Sequence, residues 1–408
     1  MTDREIVRDL AKEVAELANE PRLLKLKDEW IALNDLHVEA RPMISLQPDG
    51  ECWREIIVPK TLICKENQYR QQENFLRRQL FILKELKDDT PITATFPVHY
   101  ATTISSYGSL VVEKETSGHA GGSYHYKKLI NNIEEDFDKL DYRKLTHDVQ
   151  ESERRKNFAE ETLGDILKVE FRGEQFWTSG LTWEAIKLIG LEELMLNMYD
   201  DPEGLHKLMH WLMLENKNLT QQIIDLGVLN PNHIDVGIAS GGYGWTEQLV
   251  PANWTREQGL TLMQKWGFAE SQETVGISPD MFGEFIFPYQ LPLLERYGLN
   301  CYGCCEPVEG RWKWIQQIPR LRRVSVSPWS DINVMKDILK KDYIYSRKVS
   351  PSYLCVNFDE PALKRELKEI SAISNDIQLE ITMKDVRTVQ NDPSRCVKWV
   401  EMARSFFQ

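Results

Sequence analysis

The stretch 322-RRVSVSPWSDINVMKDILKKDYIYSRKVS-350 decides the reading of the fold. RRVSVS and YIYSRKVS are short β-rich runs that read as strands, and INVMKDIL between them reads as a helix. A strand, a helix and a second strand in so little chain form the unit from which parallel sheets are built. The rhythm extends both ways. Downstream stand IQLEITMKD (377–385) and the closing helix DPSRCVKWVEMARSFF (392–407). Upstream stand NCYGCCEP (300–307), the helix MFGEFIFPYQLPLLERYG (281–298), KWGFAESQE (265–273) and HIDVGIASGG (233–242). Before them come a long helical region (181–227) broken at DDPEG, then KVEFRGEQFWTSG (168–180) and PITATFPVHY (91–100).

The strand count approaches eight, which predicts an α/β fold, a (β/α)8 TIM barrel, over residues 91–408. GHAGGSYHYKKLINNIEEDFDKLDYRK (118–144) reads as an excursion between barrel units. Residues 1–90 carry helical patterns instead: DREIVRDLAKEVAELAN (3–19) with Asp3 as candidate N-cap, PRLLKLKDEWIALNDL (21–36) and NQYRQQENFLRRQLFILKELKDD (67–89). RPMISLQPDGECWREIIV (41–58) reads as irregular and partly extended. The expectation is a helical N-terminal extension packed on the barrel.

The chain has 63 acidic and 50 basic residues, a net charge of −13 and no basic block, which argues against a nucleic-acid partner. No apolar run approaches the roughly 20 residues of a membrane span. Its seven cysteines are odd in number and unevenly spaced, and MTDREIVRDLAKEV is charged and helical rather than signal-like. Free thiols and a cytoplasmic location are expected.

A barrel gathers its chemistry at the C-terminal ends of its strands. Those ends are His99 and Tyr100, Trp177, Ser240 to Trp245, Glu270 and Glu273, Cys301 to Glu306, Ser327 to Asp331, Arg347 and Lys348, and Glu380 to Asp385. The cysteine cluster stands out. Alternation along a strand puts Tyr302 and Cys304 on one face and Cys301 and Cys305 on the other. At a strand end that alternation often fails, so both Cys304 and Cys305 can turn inward. Thiolates suit zinc, with carboxylates to complete a tetrahedral set, and Glu270, Glu273, Glu284, Glu306 and Glu380 are the candidates. The bland reading of a free cysteine is a small buried hydrophobe, and it is preferred for Cys52, Cys64 and Cys396. Only Cys301 and Cys304 have C-x-x-C spacing, and no thioredoxin-like unit precedes them.

From about residue 91 onward the order of motifs resembles the uroporphyrinogen decarboxylase-like superfamily. The resemblance rests on LTWEAIKLIGLEELMLNMYDDPEGLHKLM, GISPDMFGEFIFPYQLPLLERYG, a cysteine-bearing strand, RRVSVSPWSDINVMKDIL and YIYSRKVSP. Zinc methyltransferases of this group carry His-x-Cys where this chain reads Tyr302-Gly303-Cys304, and a further cysteine on the last strand, where it has Glu380. The corrinoid-dependent O-demethylase first components are the subgroup it resembles best. The decarboxylases fit less well: no R-Q-A-G-R segment is present, and 96-FPVHY-100 carries no aspartate.

The resemblance implies methyl transfer from a small methylated compound, in the first instance an aryl methyl ether, to the Co(I) corrinoid of a separate protein. The alternatives are a decarboxylase-like lyase and a non-catalytic ligand-binding barrel. Zinc held by Cys304, Cys305, Glu270 and Glu380, or proton donation from His99, Tyr100 or Tyr302, would stabilise the phenolate leaving group. Tyr243, Trp245, Trp329 and Arg347 are the expected substrate contacts, the aromatics by ring packing. A homodimer is the expected assembly, if any.

Overall fold

The computed structural model describes all residues except 117–123, 174–177, 252, 256, 257 and 408. Trp177 and part of the 118–144 excursion lie outside the described residues. Twelve strands are described: β1 (Met43–Pro48), β2 (Thr95–His99), β3 (Ala101–Ile104), β4 (Lys114–Thr116), β5 (Tyr124–Tyr126), β6 (Leu145–Asp148), β7 (Lys168–Arg172), β8 (Trp266–Ala269), β9 (Leu299–Tyr302), β10 (Leu321–Val326), β11 (Ile344–Lys348) and β12 (Gln378–Val386).

Six of them form one parallel sheet in the order β1-β12-β11-β10-β9-β8. The opening stretch supplies β10 and β11, joined by the helix Ile332–Leu339, as its pattern predicts. β2 and β7 pair in parallel as a separate unit, and β3–β6 and β4–β5 are antiparallel ribbons. The architecture is therefore α/β with a curled parallel sheet, but no closed eight-stranded barrel is formed among the described residues.

The reason lies at the sheet's two edges. On β1, the amides of Ile44 and Leu46 donate to the carboxylates of Asp89 and Asp88, at 2.7 and 2.8 Å, rather than to a neighbouring strand. On β8, the Asn232 side chain accepts from the Trp266 amide and donates to its carbonyl, both at 2.9 Å. Side chains thus satisfy backbone groups that a closed barrel would pair with β2 and β7. The expected strand 233–242 is irregular. It follows Asn230-Pro231-Asn232, and proline both lacks a donor and restrains its neighbours.

A second correction concerns the N-terminal segment. The stretch expected to be irregular and partly extended contains β1, which pairs with β12 over Met43↔Glu380 to Leu46↔Met383. Residue 90 therefore does not divide a helical part from the sheet. The sheet's first strand in sequence is β1, not 95–99, and an aspartate does follow it. Asp49 is taken up as N-cap of the helix Gly50–Ile56. The first helix, Asp3–Ala18, is capped by Thr2 in a capping box with Glu5, not by Asp3. Asp3 instead accepts from the amides of Lys65 and Glu66.

The outward faces of β10–β12, with Val324, Val326, Tyr345, Leu379, Ile381 and Met383, pack under the covering helices as one large core. A second core joins the N-terminal helices to β2 and β7 through Leu26, Trp30, Leu76, Phe96 and Val169. No helix among the described residues is long and apolar enough to cross a membrane.

Candidate active site

Parallel strands buried on both faces usually read as unbroken apolar runs. Here the inward positions are polar. Arg323 and Ser325 on β10, Ser346 and Lys348 on β11, and Glu380, Thr382 and Lys384 on β12 all follow the period of two. The lower layer is a charged tie. Glu380 accepts from Arg323 Nε and Nη2 at 3.1 and 2.9 Å and from Ser346 Oγ, with Lys348 Nζ 3.8 Å away. Arg323 also donates to Asn34 Oδ1 at 2.7 Å. The two cations hold the Glu380 carboxyl below its usual range despite complete burial. Burial pushes the Lys348 ammonium down to about 8.

Segment Ser240–Trp245 runs along this lining toward the N-terminal ends of the strands. Ser240 Oγ donates to the Gly303 carbonyl at 3.0 Å, and Trp266 Nε1 donates to the Gly244 carbonyl at 2.9 Å. Gly242 has φ +82°, and a Cβ there would lie 2.5 Å from Glu380 Oε2. Only glycine fits that place.

Above this layer, Gly303 ends β9 with φ +91°. That left-handed turn breaks the alternation, so Cys304 and Cys305 both leave the strand toward Lys384. Their sulfurs are 3.7 Å apart, and Lys384 Nζ lies 3.2 Å from Cys304 Sγ and 3.3 Å from Cys305 Sγ. Asp385 accepts from the same ammonium at 2.9 Å. The Cys304 thiol and the Lys384 cation lower the Cys305 pKa, while Cys304, as donor and more deeply buried, is raised.

Next to Cys304 lies a group of carboxyls. Glu306 is fully buried and accepts from the amides of Ser271 and Cys304, at 2.8 and 2.9 Å. Glu270, also fully buried, follows β8 and accepts from the Gln272 amide at 3.0 Å, with the Thr178 side chain as a further hydrogen-bonding neighbour. Glu273 accepts from Thr182 Oγ1 at 2.7 Å, and its Oε1 has no hydrogen-bond partner among the described residues. Burial, then the charges of Glu273 and Glu306, push the Glu270 carboxyl well above the carboxylate range. Burial and the neighbouring like charges favour its protonated form.

The structure separates the expected metal set. Cys304 and Cys305 stay together, but Glu380 is occupied by Arg323, Ser346 and Lys348, and Glu270 belongs to the carboxyl group by β8. No group of three or more His, Cys, Asp or Glu side chains arranged to hold a metal occurs among the described residues. The cation beside the two sulfurs is the Lys384 ammonium. These residues do not fit zinc as the expected four-ligand site.

The expected proton donors also have other places. Tyr302 faces the helices, buried, and its hydroxyl donates to Gln290 Oε1 at 3.0 Å. Tyr100 stacks on Phe171 at 4.2 Å and meets His147 edge-on at 5.1 Å. His99 is on the separate β2–β7 unit, where it lines a cavity of about 570 Å³ with Gln72, Phe75 and Phe158. Of the expected substrate contacts, Tyr243 packs edge-on against Trp30 and donates to Thr90 Oγ1 at 3.1 Å. Trp245 is buried in the N-terminal core. Arg347 points outward, opposite to Lys348, and donates to the Ser327 carbonyl at 2.5 Å and to Glu366 at 3.1 Å. Trp329 is 78% exposed at the rim after β10. Glu284 is solvent-exposed, and Cys52, Cys64 and Cys396 are buried.

Sequence reasoning did not single out Lys384 or Arg323. The i, i+2 spacing of Glu380, Thr382 and Lys384 carried the signal for Lys384.

No protein-family model matches the chain, and no curated protein sequence matches it. Among solved structures the chain is similar to a methyltransferase from Methanosarcina mazei, with a TM-score of 0.51 and 13% sequence identity. The likeness spans 94% of this chain and 98% of that one. At that identity it establishes a shared fold.

Proposed function

We propose that this protein is a methyltransferase that moves a methyl group from a small methylated donor to the Co(I) corrinoid of a separate protein. An aryl methyl ether is the donor proposed. Two things support the reading: whole-chain likeness in fold to a methyltransferase, and the chemistry at the strand ends. The single observation that carries it is Glu270, a fully buried carboxyl beside two further carboxyls.

The step needs such a group. Co(I) supplies the electron pair that forms the new Co–C bond, and the methyl C–O bond breaks. The oxygen leaves as a phenolate, which is poor at leaving unless protonated. Glu270 gives its proton to that oxygen, and the products are methyl-Co(III), a phenol and the Glu270 carboxylate. Positioned acids of this kind contribute roughly 100- to 10,000-fold. Burial, then Glu273 and Glu306, favour the protonated form of Glu270, and Arg311, which donates to the Ser271 carbonyl at 3.2 Å, offsets the charge of Glu306. No step is assigned to zinc.

The test is Co(I) consumption, followed by absorbance, with the purified chain, a reduced corrinoid and a methoxylated phenol. Glu270→Gln should lose roughly 100-fold or more on an unactivated donor. It should lose much less on a nitro-substituted donor, whose phenolate leaves without protonation. Equal losses on both would remove Glu270 from the proton-donor role. Carbon dioxide release from a carboxylic acid, with no Co(I) consumed, would replace the reading with the decarboxylase one.

A further inference from the structure

Cys304 and Cys305 have no role in the proton transfer just described, yet they are two thiols held against one ammonium. Three geometric facts occur together here; Cys52 and Cys396, near Cys355, also meet thiol to thiol, but no ammonium stands against them among the described residues and both are buried. The Cys304 and Cys305 sulfurs face each other at 3.7 Å. One ammonium, Lys384, touches both, at 3.2 and 3.3 Å. Cys305 is half-buried, whereas Cys52, Cys64, Cys301 and Cys396 are buried. The other half-buried cysteine is Cys355, and burial pushes its thiol up.

We propose that Cys304 and Cys305 form a reversible dithiol site that reacts with low-molecular-weight disulfides. The Cys305 thiolate attacks one sulfur of the small disulfide, forming a mixed disulfide and releasing the first small thiolate. Cys304 then gives its proton to that thiolate and attacks Cys305 Sγ. The second small thiolate leaves, and a Cys304–Cys305 bond closes. The two cysteines lose two electrons, and the small disulfide gains them. Lys384 stabilises the attacking thiolate, and Asp385 and Glu306 are the nearby carboxylates that oppose it. Adjacent Cα atoms are about 3.8 Å apart, below the roughly 4.4 Å at which ordinary disulfides begin. The closed bond is therefore strained and readily reduced, as labile disulfides are.

Oxidised glutathione and intact-mass measurement test this without a methyl donor or a corrinoid, so the outcome is independent of the methyl-transfer reading. The wild-type chain should end lighter by two hydrogens, with the bond mapped to Cys304–Cys305, and mild reductant should restore it. Cys304→Ser should stop at one glutathione adduct on Cys305. Cys305→Ser should stay unmodified over the same time. Lys384→Met should slow the reaction about threefold for each unit by which the thiol pKa rises, because lost thiolate outweighs gained nucleophilicity. Lys384→Arg should restore the rate. An adduct mapping first to Cys355, or an unchanged rate in a folded Lys384→Met variant, would overturn the proposal.

Discussion

Glu380→Ala should destabilise the protein severely. The carboxylate is 1% exposed, and it is the anion that faces Arg323, 2% exposed, and Lys348, 1% exposed. Its removal leaves two cations in a site closed to water. Lys348 can escape by losing its proton, since burial already brings it to about 8. Arg323 cannot, because a guanidinium does not deprotonate in proteins. Breaking a buried pair from one side costs about 3–5 kcal/mol. Against a total stability of about 5–15 kcal/mol, that is a large share. Urea unfolding should show a lower midpoint at unchanged slope. The double variant Arg323→Met/Glu380→Met should recover most of the loss, because the one cation left without its partner, Lys348, can lose its proton. A loss under about 1 kcal/mol in Glu380→Ala would refute the reasoning, since no buried pair of this geometry is so cheap to break.

Three further outcomes follow from the same geometry. Glu270 has a raised folded-state pKa, so its favourable contribution is complete below about 4.5 and is lost as pH rises toward the folded value. Glu270→Gln should therefore gain stability relative to wild type from pH 4.5 to pH 8, and urea unfolding at both ends checks the sign. Tyr302→Phe should cost about 1 kcal/mol, the worth of its bond to Gln290, and leave methyl transfer intact; a large activity loss at unchanged stability would return Tyr302 to the chemistry. Gly242→Ala should destabilise by about 1–3 kcal/mol, because φ +82° is strained for alanine and the new methyl meets Glu380 and Arg323; a neutral result in thermal unfolding would contradict this packing.

The strand–helix rhythm and the outward apolar faces were legible because they are local: a period of two in RRVSVS and IQLEITMKD is present in the chain itself. The clustering of polar residues at strand ends was legible for the same reason. Closure of the barrel was not, since it depends on what the edge strands meet. Asp88, Asp89 and Asn232 satisfy those edges from far along the chain, at β1 and β8. The role of 41–58 was hidden because β1 is recognised only by pairing with β12, more than three hundred residues later.

The site divides in the same way. The sequence by itself determined that Cys304 and Cys305 end a strand, that Glu270 follows one, and that charged residues alternate with apolar ones on β12. Only the tertiary structure decided which of them meet. One turn at Gly303 brings both cysteines to Lys384. Arg323 takes Glu380 away from the sulfurs. Burial beside Glu273 and Glu306 pushes the Glu270 carboxyl above its usual range. The physical reason is that strand pattern is a property of neighbours in sequence, whereas protonation and partnership are set by charges and solvent exclusion across the fold.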